Sequence, residues 1–163
     1  MQSWQNVQPR DTVVSNTGEF PQATRATMVD INAELPAVLR ILVVEDNHDV
    51  ADMLHQMLVS WGQKTLLARD GDRALELAAE YRPHVVLLDI GLPKMHGYEL
   101  ARRLRQLPGP RMTLIAVTGW GQEADRLQAK AAGIDYHIVK PAAPETLRAL
   151  LESLSLDIDD RAD

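Results

Sequence analysis

Five times between residues 39 and 155, a short apolar run gives way to a longer stretch whose apolar residues recur every three or four positions. "RILVVE" precedes Val50, Met53, Leu54, Met57, Leu58 and Trp61, the i, i+3, i+4, i+7 spacing of an amphipathic helix. Gly62 closes that helix, "KTLLA" follows as a second strand, and "DGDRALELAAEYR" places Ala74, Leu77, Ala78 and Tyr81 on one face. "HVVLLD" is a third strand, and Leu100, Leu104 and Leu107 mark a third helix that ends at "PGP". "RMTLIAVT", "QEADRLQAKAA", "YHIVK" and "PETLRALLESL" complete the series, the last with Leu147, Leu150, Leu151 and Leu154 facing inward.

Strict alternation of strand and helix requires right-handed crossovers between parallel strands, hence an open sheet with helices on both faces. Strands buried on both faces are continuously apolar, as "ILVV", "VVLL" and "LIAV" are. The predicted fold is α/β, a doubly wound five-stranded parallel sheet in three layers over residues 39–155. Residues 1–38 are rich in Gln, Thr, Asn and Pro with scattered apolar residues, and are predicted to be a mostly disordered tail. A docking peptide built on Trp4 or "INAELPAVL" is the alternative. The acidic, non-periodic residues 156–163 are predicted to be a solvated tail.

The formal charge of -6, without any basic block, argues against general affinity for nucleic acid. Absence of cysteine excludes disulfides and thiolate metal sites. No apolar run is long enough to cross a bilayer and no signal-peptide pattern opens the chain, so a soluble cytoplasmic protein with no membrane partner is expected.

In an open parallel sheet the active crevice lies outside the carboxyl ends of the strands. Strand one ends in Glu45 and Asp46, strand three in Asp89, strand four in Thr118 and strand five in Lys140. Singly, Glu45, Asp46 or Thr118 could cap a helix and Lys140 could be solvated. Together they place three carboxylates at one edge, which would raise one another's pKa unless a cation neutralised them. A hard divalent ion such as Mg²⁺ suits carboxylate and carbonyl oxygens, and it commonly completes its shell with phosphate. A Lys ammonium and a Thr hydroxyl can then hold phosphoryl oxygens. No Ser or Cys competes as nucleophile, which leaves a carboxylate, Asp89, to receive a phosphoryl group.

"VVEDN" at 43–47, "LLDIGLP" at 87–93, "TGW" at 118–120 and "KP" at 140–141, in that order and each at a strand end, resemble the markers of the response-regulator receiver domain of two-component signalling. The resemblance implies a flavodoxin-like (βα)5 fold. It makes Asp89 the phosphoacceptor for a phosphohistidine on a histidine kinase or histidine phosphotransfer protein. It gives Mg²⁺ to Glu45, Asp46, Asp89 and the backbone carbonyl of Gly91, where a glycine avoids crowding, with Pro93 stiffening the loop. Lys140 would pair with the phosphoryl group, Thr118 would swing to bond it, and the Lys140–Pro141 peptide would be cis. The function implied is that of a phosphoacceptor signalling domain and not of an enzyme, beyond self-phosphorylation by small donors and self-dephosphorylation.

This sequence departs from the family at His137, where an aromatic gate coupled to the Thr is usual; His137 is either a pH-sensitive gate or a half-buried polar residue on the output face. Trp120 stands where attacking water is tuned. His48, His55, His84 and His96 form no metal-ligand spacing and are expected on the solvated surface. The run "TGWGQEADR…AGIDYHIVKP" most resembles receivers attached to hybrid kinases, yet no output domain follows residue 155, so a stand-alone receiver acting through an unknown downstream protein is expected. A phosphorylation-independent adaptor is one alternative. A haloacid-dehalogenase-type phosphohydrolase is another, but it needs an acid where Gly91 stands.

Overall fold

In the computed structural model, residues 12–14, 37–119 and 123–162 are described. The elements in chain order are β1 (Thr12–Val14), β2 (Arg40–Val44), α1 (His48–Ser60), β3 (Lys64–Ala68), α2 (Gly71–Tyr81), β4 (Val85–Asp89), α3 (Gly97–Gln106), β5 (Thr113–Thr118), α4 (Glu123–Ala131), β6 (Tyr136–Val139) and α5 (Pro144–Ala162). The sheet order is β1-β6-β5-β4-β2-β3, and every pairing is parallel. The five strand–helix units read from the sequence are all present. Successive units step outward from β2 in opposite directions, so β2 and β4 are neighbours whose following helices go to opposite faces, and a crevice opens between their carboxyl ends.

Alternation along the strands feeds two cores. Leu42, Val44, Val86, Leu88, Leu114 and Ala116 pack beneath α2 and α3 with Ala129 of α4, while Ile41, Val43, Val85, Leu87, Ile115 and Ile138 pack beneath α1 and α5. Cutting one such buried Leu to Ala costs roughly 2–5 kcal/mol, so these cores hold the strand ends firmly. At the opposite edge, the Asp135 carboxylate accepts from Arg105 (2.5 Å), Arg111 (2.8 Å) and the Leu114 amide (2.9 Å). Arg105 also donates to the Gly133 and Met112 carbonyls, tying α3 to the entries of β5 and β6.

Two expectations about the ends of the chain need correction. Within the predicted disordered tail, Thr12–Val14 forms a sixth strand, in register Thr12↔Tyr136, Val13↔His137 and Val14↔Ile138. Trp4 and most of "INAELPAVL" lie outside the described residues. At the other end α5 runs on to Ala162 through the predicted acidic tail, because Ile158 continues the inward face four residues after Leu154.

Two of the four histidines expected on the solvated surface, His55 and His84, are half-buried instead. His55 on α1 is half-buried and hydrogen-bonded to Thr65 of β3. His96 caps α3, its Nδ1 accepting from the Tyr98 amide at 3.3 Å. His84 is half-buried and its Nδ1 accepts the Arg40 amide at 3.0 Å, while the His84 amide donates to the Arg40 carbonyl at 2.8 Å. His48 and His96 are exposed, as expected.

Burial, and then the nearby Arg40 guanidinium, push the His84 pKa below its ordinary value. A histidine depressed on folding stabilises the fold fully above its unfolded value of about 6.5 and loses that contribution as pH falls toward the folded value. The urea midpoint of the wild type should therefore drop between pH 7 and pH 5 by more than that of His84→Asn, which keeps an acceptor but cannot charge. Parallel profiles would show that His84 does not carry this pH dependence.

Candidate functional site

The crevice at the β2/β4 ends is where the polar residues gather. Backbone pairing delivers them: the Glu45 amide extends β2 by donating to the Ala68 carbonyl at 3.1 Å, and Asp89 closes β4 opposite Val117 of β5. Thr118, one residue further along β5, is buried, and its carbonyl accepts the Lys140 amide at 2.7 Å just past β6. Lys140–Pro141 is cis, as the resemblance implies.

Carboxylate oxygens of Glu45, Asp46 and Asp89 lie within 4.8 Å of one another. Glu45 is buried, Asp89 half-buried and Asp46 exposed, so the cluster opens from the core to solvent. The Lys140 ammonium closes it, with Nζ 3.1 Å from Glu45 Oε2 and 3.5 Å from Asp89 Oδ1. Burial raises the Glu45 pKa; the Asn47 amide on Oε1 and Lys140 pull it back, and the Asp89 charge adds to the rise. Burial opposes the Lys140 charge, but its hydrogen bond to Glu45 and the charges of Asp89 and Glu45 outweigh that, and its pKa is raised. Three carboxylates that reach from the core to solvent, underfilled by one ammonium, form a donor set that fits a hard divalent cation.

His137 stands apart from this cluster. It is buried in β6 opposite Ala116, three residues before Lys140, and it projects to the face away from Tyr136 and Ile138. The half-buried reading of His137 is thus too exposed. Trp120 lies outside the described residues.

Gly91 lies in the loop just after Asp89. A Cβ there would meet no protein atom nearer than Asp89 Oδ1 at 3.8 Å, an ordinary contact, so packing within the protein does not require glycine. Its amide instead donates to Asp89 Oδ1 at 3.1 Å. The glycine that matters sterically is Gly97, which sequence reasoning passed over. A Cβ on Gly97 would fall 2.6 Å from Ile90 Cα and 2.8 Å from the Asp89 carbonyl, and its amide donates to the Ile90 carbonyl at 2.9 Å. The first turn of α3 is therefore pressed directly against the turn that presents Asp89. A glycine at the first position of a helix, just after the "DIGLP" loop, was the available signal.

With this geometry in place, the family follows from comparison. The response regulator receiver domain family matches residues 41–152, and the chain belongs to it. Members of that family are phosphoacceptor signalling domains of two-component systems, generally phosphorylated on an aspartate. Response regulator MprA of Mycobacterium ulcerans is 36% identical over 127 residues, which are 76% of this chain and 54% of that one. The probable transcriptional regulator ycf27 of Cyanophora paradoxa is 34% identical over 70% of this chain and 47% of its own length. This chain thus spans about half of each of those relatives. Among solved structures, the receiver domain of the sensor histidine kinase PA1611 from Pseudomonas aeruginosa, which holds a magnesium ion in its active site cleft, is 33% identical, covers 72% of this chain and 98% of its own, and superposes with a TM-score of 0.66. Among the described residues no helix is long and apolar enough to cross a membrane.

The glycine contrast is measurable. Gly97→Ala should lower stability by about 1–3 kcal/mol through forced displacement of the Asp89 turn, whereas Gly91→Ala should stay within about 0.5 kcal/mol. Urea unfolding of the two variants at one pH decides it, and equal losses would contradict the close approach.

Proposed function

We propose that Asp89 accepts a phosphoryl group from a phosphohistidine donor, on a histidine kinase or a histidine phosphotransfer protein, and that the phosphorylated chain acts through another protein. The observation that carries this reading is the convergence of Glu45, Asp46 and Asp89 within 4.8 Å beside the Lys140 ammonium. Among the described residues, the Gly91 amide and the Lys140 ammonium both approach Asp89 at Oδ1, which leaves Oδ2 to attack. As the new P–O bond forms, the P–N bond to the donor imidazole breaks and the imidazole takes up a proton.

Glu45, Asp46, Asp89 and the Gly91 carbonyl would hold Mg²⁺. When bound, that ion neutralises the carboxylates and the incoming phosphoryl oxygens. Lys140, already turned toward Asp89, is placed to pair with a phosphoryl oxygen, and Thr118 at the end of β5 is placed to donate its hydroxyl. The Thr118 carbonyl holds the Lys140 amide, so a movement of Thr118 is felt at the end of β6. His137 and Trp120 are proposed to shape that response and the lifetime of the acyl phosphate. The receiver is proposed to act in the cytoplasm.

Acetyl phosphate with Mg²⁺ should add one phosphoryl group to the intact mass of the wild type. Asp89→Asn, or excess chelator, should abolish the gain. A gain that persists in Asp89→Asn would overturn the assignment of the acceptor. If small donors give no gain, a panel of phosphorylated histidine phosphotransfer proteins replaces them, and failure with all of these would favour a phosphorylation-independent adaptor.

A further inference from the structure

The two edges of the core sheet are treated differently by the sequence. β3 carries the charge of Lys64, which is exposed, whereas β6 reads "YHIV", uncharged, aromatic and β-branched, with no proline. A strand of that kind presents unpaired amides and carbonyls and is a template for any extended chain unless something covers it. What covers it is Thr12–Val14, paired in parallel with Tyr136–Ile138. "TVV" is the one run of three consecutive β-branched residues before residue 37, and it carries the strand preference that the rest of that segment lacks.

We propose that the outer edge of β6 is a strand-docking site and that the chain occupies it in cis with its own Thr12–Val14. Chain length permits this. From the end of β1 to the start of β2 the backbone crosses four strand spacings and returns one strand length, on the order of 25 Å in all. The roughly 25 intervening residues can span up to about 80 Å. A tether of that kind holds the segment at an effective concentration in the millimolar range, so three residues of pairing suffice where a free peptide of the same sequence would bind weakly. A partner that recognises this edge is an extended, β-branched segment running parallel to β6, and it has to displace Thr12–Val14 first. The covered strand leads directly into Lys140, whose amide is held by Thr118, so cover and acceptor site share one strand. The inference nonetheless stands without the proposed phosphorylation.

Consecutive strand amides point to opposite sides, so Val13→Pro together with Val14→Pro removes at least one amide that faces β6. Amide hydrogen exchange on the full chain should show those amides of Tyr136–Ile138 that face β1 exchanging at least tenfold faster in the double variant, with β4 amides unchanged as a folded control. A synthetic peptide of residues 9–17 at millimolar concentration should restore protection to the variant. Identical exchange in both proteins would overturn the strand cover, and a peptide without effect would overturn the docking site. Protection in the wild type that falls on dilution, accompanied by a dimer in native mass spectrometry, would assign the strand to a second copy and overturn the cis arrangement.

Discussion

Three carboxylates within 4.8 Å of one another are the constraint around which the rest of the molecule is arranged. At an effective dielectric of about 20, each ionised pair at that distance repels by on the order of 3 kcal/mol, a large share of the stability of an ordinary domain. The fold tolerates this because Lys140 arrives from a different strand with its ammonium between Glu45 and Asp89. The buried Glu45 carries the larger burden, since it is also held by the Asn47 amide that opens α1. A metal in that crevice would relieve what Lys140 only half relieves, which is why the arrangement reads as a binding site and not as a finished structural cluster.

Such a crowd of acids stays together only on a rigid platform, and the two-sided burial of β2, β4 and β5 supplies it. Val85–Leu88 pack alternately into the two cores, leaving Asp89 as the first residue of its strand not fully buried. On the far side of the sheet, Arg105 and Asp135 lock the strand entries with ion pairs and carbonyl contacts. Removing one partner of a buried pair of this type costs roughly 3–5 kcal/mol, so the sheet is anchored at the edge where no chemistry is proposed.

Much of this was legible in the sequence because the same periodicity that marks a parallel sheet also says which residues end its strands. The strand pattern alone assigns Glu45, Asp46, Asp89, Thr118 and Lys140 to one edge, and the structure puts them there. What escaped depends on distant partners. Three residues of "TVV" carry too weak a local signal to predict a strand whose pairing partner lies more than a hundred residues away. Gly97 looks like any loop glycine until α3 is seen resting on the Asp89 turn. His84 and His55 read as surface residues because the Arg40 amide and Thr65 that receive them come from other elements. The acids of "DIDDRAD" suggested a solvated tail, although Leu154 and Ile158 keep the helical face continuous.

The sixth strand also bears on solubility. A receiver beginning at residue 39 would retain both cores and the whole acidic crevice, yet it would expose the uncharged "YHIV" edge along its full length. Its characteristic failure would be association between molecules, edge to edge, and not loss of the fold. The short N-terminal strand thus acts as a chaperone in cis for a sheet that is otherwise complete.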